Sequence, residues 1–193
     1  MLLAASFLIG SIPAAQVVSR LTTGRDLRDV DTGTVSATNV YRTAGPVPFA
    51  VTAGLDLGKG ALTAAIAGRL GPGFVEPAVS CMLAGHNWSP FLRGAGGRGV
   101  LPAIGALLVA YPRGAIVLAG GLVAGALAGD TAPGVFAAQA MLPPALAVGR
   151  GRRGALLGLA VIAPMLLKRV AGNHIPASGR VCWNRLVFDR DRR

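Results

Sequence analysis

The sequence predicts an all-α integral membrane protein, and three features of the 193-residue chain point to it. Apolar runs recur from end to end, hydrophobic residues make up 52% and charged residues only 14%, and the mean hydropathy is +0.56. An ordinary soluble domain carries roughly 25% charge. The 28 glycines suit helices that pack closely within a bilayer. The length allows one compact unit, so residues 1–193 are read as a single polytopic domain with a basic tail from about residue 176.

A membrane-spanning helix needs about 20 residues, and the apolar runs suggest about seven transmembrane helices. The first runs from Leu2 to Val18. It lacks the basic start of a signal peptide and is followed by equally long apolar segments, so it reads as a helix with its amino end outside. The second, Pro46 to Leu70, carries Asp56 and Lys59, a pair that is costly in lipid unless it faces protein or water. The third extends from Gly73 to Leu92. Residues 101–110, 115–129, 135–148 and 155–167 supply the rest, the sixth broken at Pro143 and Pro144.

The net charge is +11, and of 19 basic residues only Lys59 and Lys168 are not arginine. That balance in a soluble protein would suggest nucleic acid. Here few aromatics and long apolar runs exclude that partner, and the cations lie mainly between or after the apolar runs. Anionic headgroups of membrane phospholipid or an anionic substrate explain the placement. Clusters after the first and third helices and in the tail point to the cytoplasmic face. Simple alternation then puts "GRGRRG" (149–154) outside, against the same rule. Cys81 and Cys182 form neither a metal cluster nor a disulfide framework.

Two polar loops carry the chemistry. "GRDLRDVDTGTVSATN" from Gly24 to Asn39 offers Thr32, Thr34, Ser36 and Thr38 as hydroxyl donors, Gly33 for a tight turn, and Arg42 just beyond as a phosphate fork. "AGHNWSPFLRGAGGRGV" brings His86, Arg93 and Arg98 among Gly94, Gly96, Gly97 and Gly99. A glycine-rich turn around an arginine can wrap an oxyanion, although the spacing is not that of a Walker A loop. A solvated headgroup loop and an interfacial packing histidine are the plain alternatives for these stretches.

With "GSIP" (Gly10–Pro13), "GRDLR" (Gly24–Arg28), "SATNVYR" (Ser36–Arg42), "LDLGKG" (Leu55–Gly60) and "GHNWSPFLRGAGGRGV" (Gly85–Val100) in this order, the chain resembles the bacterial acyl-phosphate:glycerol-3-phosphate acyltransferases over nearly its whole length. The resemblance implies about seven helices in the bacterial plasma membrane, with polar motif loops grouped at the cytoplasmic face. It also implies fatty acyl transfer from acyl phosphate to glycerol 3-phosphate, giving lysophosphatidate and phosphate without metal or CoA. Carried across position by position, Thr32, Thr38, Asn39, Arg42, His86 and Arg98 become the catalytic set. Arg42, Lys59, Gly96, Gly97, Arg98 and Gly99 become the phosphate-binding set.

The departures are specific. Thr32 stands for the family's functional serine, Thr34 for its first asparagine and Arg98 for its lysine. The third motif's His and Asn fall near Ile162 and Met165, and its closing acid falls on His174. These changes keep a second reading open, a catalytically degenerate scaffold that binds anionic lipid or a metabolite.

Overall fold

A computed structural model describes residues 1–30, 33–71, 73–173 and 179–189. Thr32, His174 and the basic end of the tail lie outside these. The described residues are helical with short connections. Helices α1 (Leu2–Ser11) and α2 (Ala14–Thr23) precede the first loop, in which Leu27–Asp29 make one 3-10 turn. Helix α3 (Ala37–Ala44) leads into the long α4 (Pro46–Leu70), followed by α5 (Val75–Asn87), the second loop, α6 (Val100–Ala110) and α7 (Pro112–Leu127). Helix α8 (Thr131–Ala171) and the short α9 (Gly179–Phe188) complete the order.

Two sequence expectations are corrected. The first segment is not one helix to Val18, because the chain breaks at Ile12 and Pro13, where proline has no N–H to continue the ladder. The carbonyls this frees are taken by side chains from other helices. Lys59 Nζ donates to Gly10 O (3.4 Å) and Ile12 O (3.3 Å), and Ser89 Oγ donates to Ser11 O (2.6 Å).

The second correction concerns α8. Its helix continues through Pro143 and Pro144, and the break falls at Gly151, whose φ of 56° and ψ of −141° are non-helical. A straight helix would separate residues 143 and 158 by about 22 Å. Instead a Cβ on Gly158 would lie 2.7 Å from Pro143 Cα, so the two limbs fold back against each other. Proline is tolerated within a bundle because neighbouring helices and local adjustments satisfy the freed groups, whereas the reversal needs the positive φ that glycine adopts cheaply.

Helix α4 shows how the bundle meets its surroundings. Val47, Val51, Leu55, Leu62, Ile66 and Leu70 are exposed along one stripe. Thr52, Asp56, Lys59, Gly60, Thr63, Ala64 and Ala67 are buried on the other. Apolar residues outward and polar or small residues inward is the pattern of a lipid-facing helix. The runs Leu2–Thr23, Pro46–Leu70 and Thr131–Ala171 are long and apolar enough to cross a membrane, and α6 and α7 are shorter apolar helices.

Small residues set the packing distance. A Cβ on Gly60 would run into the backbone of Pro102, and one on Gly105 into the backbone of Leu57, so α4 and α6 meet backbone to backbone. Gly10 and Gly85 do the same for α1 and α5. Around these crossings Met82, Leu83, Leu107, Leu118, Leu142, Leu146, Val161 and Met165 form the main core. A second, smaller core of Ala15, Val18, Leu27, Val35, Val40 and Leu92 lies under the first loop and ties it to the second.

The crossings make a contrast measurable. Gly54, on the same helix as Gly60, has nothing within 4 Å of an added Cβ. Gly54→Ala should leave the melting temperature of the purified protein unchanged or raised, since alanine favours helix by roughly 0.5–1 kcal/mol. Gly105→Ala should lower it, because the α4–α6 crossing must widen.

Candidate functional site

Among the described residues, those singled out in the sequence lie at one end of the bundle, where the α1–α2 break, two loops and the end of α8 meet. The first loop is held from inside. Gln16 Oε1 accepts from Leu27 N (3.0 Å), and Asn39 Nδ2 donates to Thr34 O (3.1 Å) and Val30 O (3.3 Å). Asn39 is buried, so its place is that of a strut beneath the loop. Ser36 caps α3 by accepting from Asn39 N. Thr38 and Arg42 are exposed one helical turn apart and share a face of α3.

At the outer edge of this loop, Asp26 accepts from Arg28 Nε (3.0 Å) and Nη2 (2.7 Å) and from Arg20 Nη2 (2.7 Å). Arg28 foremost, opposed by burial and reinforced by Arg20, holds the Asp26 carboxyl well below the usual carboxylate range.

The second loop folds under the first. Gly97 N donates to His86 O (3.2 Å), Val35 N donates to Gly96 O (3.3 Å), and Gly94 N donates to Ser89 O (2.9 Å). Close approach favours glycine at two of these positions. A Cβ on Gly97 would strike His86 Nε2, and one on Gly96 would strike the carbonyls of His86 and Asn87. His86 therefore presents Nε2 to Gly97, while its Nδ1 lies 3.9 Å from Asp56 Oδ1. Asp56 Oδ1 is also 2.7 Å from Lys59 Nζ. A small cleft of about 10 Å³ beside His86 is lined by Ser11, Val35, Ser89, Gly96 and Gly97 among others.

The third contribution comes from the end of α8. Asn87 Nδ2 donates to Pro164 O (2.8 Å), fixing that helix against the second loop. Lys168 is fully buried, donates to Gly94 O (3.2 Å) and lies 5.3 Å from the Trp88 ring centre. Asn173 Nδ2 donates to Gly33 O (2.8 Å), so the same segment touches the first loop as well. Arg98 grips Asp189 with two nitrogens, at 2.9 and 2.6 Å, and donates to Lys168 O (3.0 Å).

The structure thus brings His86, Lys59, Arg98 and the Gly96–Gly99 turn together, with Asn39 in support and Thr38 and Arg42 on the neighbouring helix. Thr32 falls outside the described residues. Sequence reasoning missed Lys168, Asn87 and Asp189 as parts of the site. Lys168 carried a usable signal, because it ends an apolar run that the fold had to bury and an intramembrane charge needs a partner. No local pattern announces Asn87 or Asp189, whose partners lie 77 and 91 residues away in sequence.

The sequence pattern of glycerol-3-phosphate acyltransferases matches residues 1–176. The chain belongs to that family. Among curated relatives, glycerol-3-phosphate acyltransferase 5 of Dehalococcoides mccartyi is 33% identical, covering 97% of this chain and 86% of the relative. Glycerol-3-phosphate acyltransferase 2 of Moorella thermoacetica is 46% identical over 57% of each. Among solved structures, the integral membrane acyltransferase PlsY in its glycerol 3-phosphate form superposes with a TM-score of 0.81 at 26% identity. That alignment covers 100% of this chain and 93% of PlsY. The lysophosphatidic acid form of PlsY gives 0.76 at 22% identity and shows the same fold. The chain is an integral, multi-pass membrane protein. Helix α9 and Asp189 lie beyond the matched pattern.

Because the Asp26 carboxyl is depressed in the folded loop, its contribution to order is present above the unfolded carboxylate pKa of about 3.9. It is lost as pH falls through that value toward the folded one. Amide exchange of residues 25–30, corrected for intrinsic rates, should show protection that declines on acidification. Asp26→Asn should remove most of that pH dependence; an unchanged profile would detach the loop's order from this cluster.

Proposed function

We propose that this chain transfers a fatty acyl group from acyl phosphate to glycerol 3-phosphate, releasing lysophosphatidate and phosphate, in a bacterial inner membrane. The observation that supports it most is the convergence of the first loop, the Gly96–Gly99 turn and two cations, Lys59 and Lys168, near His86, with Arg98 held in the same turn against the end of α8. Both substrates are phosphates, and charge-assisted contacts to phosphate are the strong ones.

In the proposed reaction the acceptor hydroxyl oxygen attacks the acyl carbon, the bond from that carbon to the phosphate oxygen breaks, and phosphate leaves with the electron pair. His86 Nε2, held toward Gly97 with Asp56 on its other side, is placed to take the hydroxyl proton. Thr32 and Thr38 orient substrate by hydrogen bonds, Asn39 keeps the first loop in shape, and Arg42 adds a cation at its rim. Gly96, Gly97 and Gly99 let the charged groups approach the backbone. Phosphate leaves readily, so no covalent enzyme intermediate is required.

The cleft beside His86, at about 10 Å³, has room for about one water. Glycerol 3-phosphate therefore enters by parting the two loops, which the described backbone links through the Val35–Gly96 bond. Asp189 occupies the fork of Arg98 that a phosphate would use, so binding exchanges one anion for another.

We read seven passes: α1 with α2, then α4, α5, α6, α7 and the two limbs of α8. The site end faces the cytoplasm, and the amino end and residues 149–154 lie outside. Helices α5 and α6, of 13 and 11 residues, are shorter than the hydrocarbon core requires. The second loop then sits below the membrane surface, a position open to irregular backbone only when protein covers it. Gly96 and Gly97 are buried, as this demands.

Purified protein given synthetic palmitoyl phosphate should release phosphate only when glycerol 3-phosphate is present. His86→Gln should slow turnover about 100-fold or more, the scale of a lost general base. Asp189→Asn should lower the KM for glycerol 3-phosphate severalfold with kcat little changed. Well-folded protein without transfer at any acyl length would instead establish the degenerate-scaffold reading.

A further inference from the structure

The end of the bundle opposite His86 carries a feature that acyl transfer does not use. A cavity of about 370 Å³ opens there between the end of α4, the start of α5, the end of α6 and α8. That volume falls in the range of small-molecule sites. Its walls are small or apolar, including Ala64, Gly68, Val109 and Leu157, and its rim carries Arg69, Arg150 and Glu76.

The charges at this rim are unbalanced. Arg69 and Arg150 have no ion pair among the described residues, and neither has Glu76. Arg150 is placed rather than loose: its guanidinium lies 4.6 Å from the Tyr111 ring centre, and Gly149 lets the tyrosine hydroxyl approach the turn. Arg113, Arg152 and Arg153 are exposed nearby. Five arginines against one glutamate would be costly on a face that the positive-inside tendency leaves poor in cations, unless a membrane anion complements them.

We infer that this cavity binds the phosphate headgroup of an anionic phospholipid, in the leaflet opposite the active site. Arg69 and Arg150 grip the phosphodiester from two helices. Glu76 accepts a hydroxyl of a glycerol headgroup. One acyl chain runs down the groove left by Ala64, Ala65 and Gly68 between α4 and α6, where the outward residues Leu62, Ile66 and Leu108 already face lipid. The assignment depends on this end reaching a membrane surface and not on acyl transfer, so it stands or falls separately from the catalytic reading.

The test is native mass spectrometry of the full-length protein released from nanodiscs of mixed phosphatidylglycerol and phosphatidylcholine. Acyl transfer is assayed on the same samples. The wild type should retain phosphatidylglycerol at least fivefold over phosphatidylcholine, and Arg69→Gln/Arg150→Gln should lose that preference with acyl transfer unchanged. Gly68→Leu provides a second variant that fills the cavity without touching charge; an added Cβ there comes no closer than 4.0 Å to Val75. It should lose retained lipid to the same degree. Equal retention of the two lipids, or retention indifferent to both variants, would overturn the assignment. Displacement of phosphatidylglycerol by millimolar inorganic phosphate would overturn the lipid source and leave a free-anion site.

Discussion

A lysine and a carboxylate cannot enter a lipid-facing helix without partners, and the way α4 supplies them organises the end of the molecule where the two motif loops meet. Asp56 and Lys59 sit three residues apart on the inward face, 2.7 Å from each other. Lys59 also reaches the carbonyls freed where α1 breaks at Ile12 and Pro13. A cation at the carboxyl end of a helix meets its partial negative charge, so break and cation need each other. On its other side Asp56 faces His86. One buried pair therefore registers the first helix, the long fourth helix and the histidine at the end of α5. Removing either partner would leave an uncompensated buried charge, which is strongly destabilising.

The glycines are the second half of this arrangement. At Gly60 and Gly105 they bring α4 and α6 into backbone contact, and at Gly10 and Gly85 they do so for α1 and α5. Close crossings draw Lys59 within reach of the α1 carbonyls. At Gly96 and Gly97 the absent side chains allow the second loop to fold beneath the first and over His86. The loop's own polar groups are then met by protein: Val35 bonds Gly96, Lys168 bonds Gly94, and Ser89 bonds Ser11.

Much of the fold was legible because apolar runs and their polar interruptions are properties of the local sequence. The exceptions are instructive. Pro13 breaks the first helix although the run continues to Val18, since carbonyl acceptors freed there find Lys59 and Ser89, which no local window contains. Pro143 and Pro144 do not break α8, because the surrounding bundle tolerates them, and the reversal waits for Gly151. The candidate site was legible only as two polar loops and their cations. Its closure was not: Arg98 reads as a free phosphate ligand until Asp189, just past α9, is seen against it. Lys168 reads as a helix-flanking cation until the end of α8 is seen to pack on Gly94 and Trp88.

On the proposed reading glycerol 3-phosphate binds where the two loops meet over His86, beside the Asp56–Lys59 pair. The most direct measurement is an experimental structure of this chain in a lipid mesophase with glycerol 3-phosphate bound. The expected structure has the phosphate between the first loop and the Gly96–Gly99 turn, the Val35–Gly96 bond opened, and Arg98 turned from Asp189 toward the ligand. Ligand bound away from both loops, or bound with the Val35–Gly96 bond still closed and Arg98 still on Asp189, would contradict it.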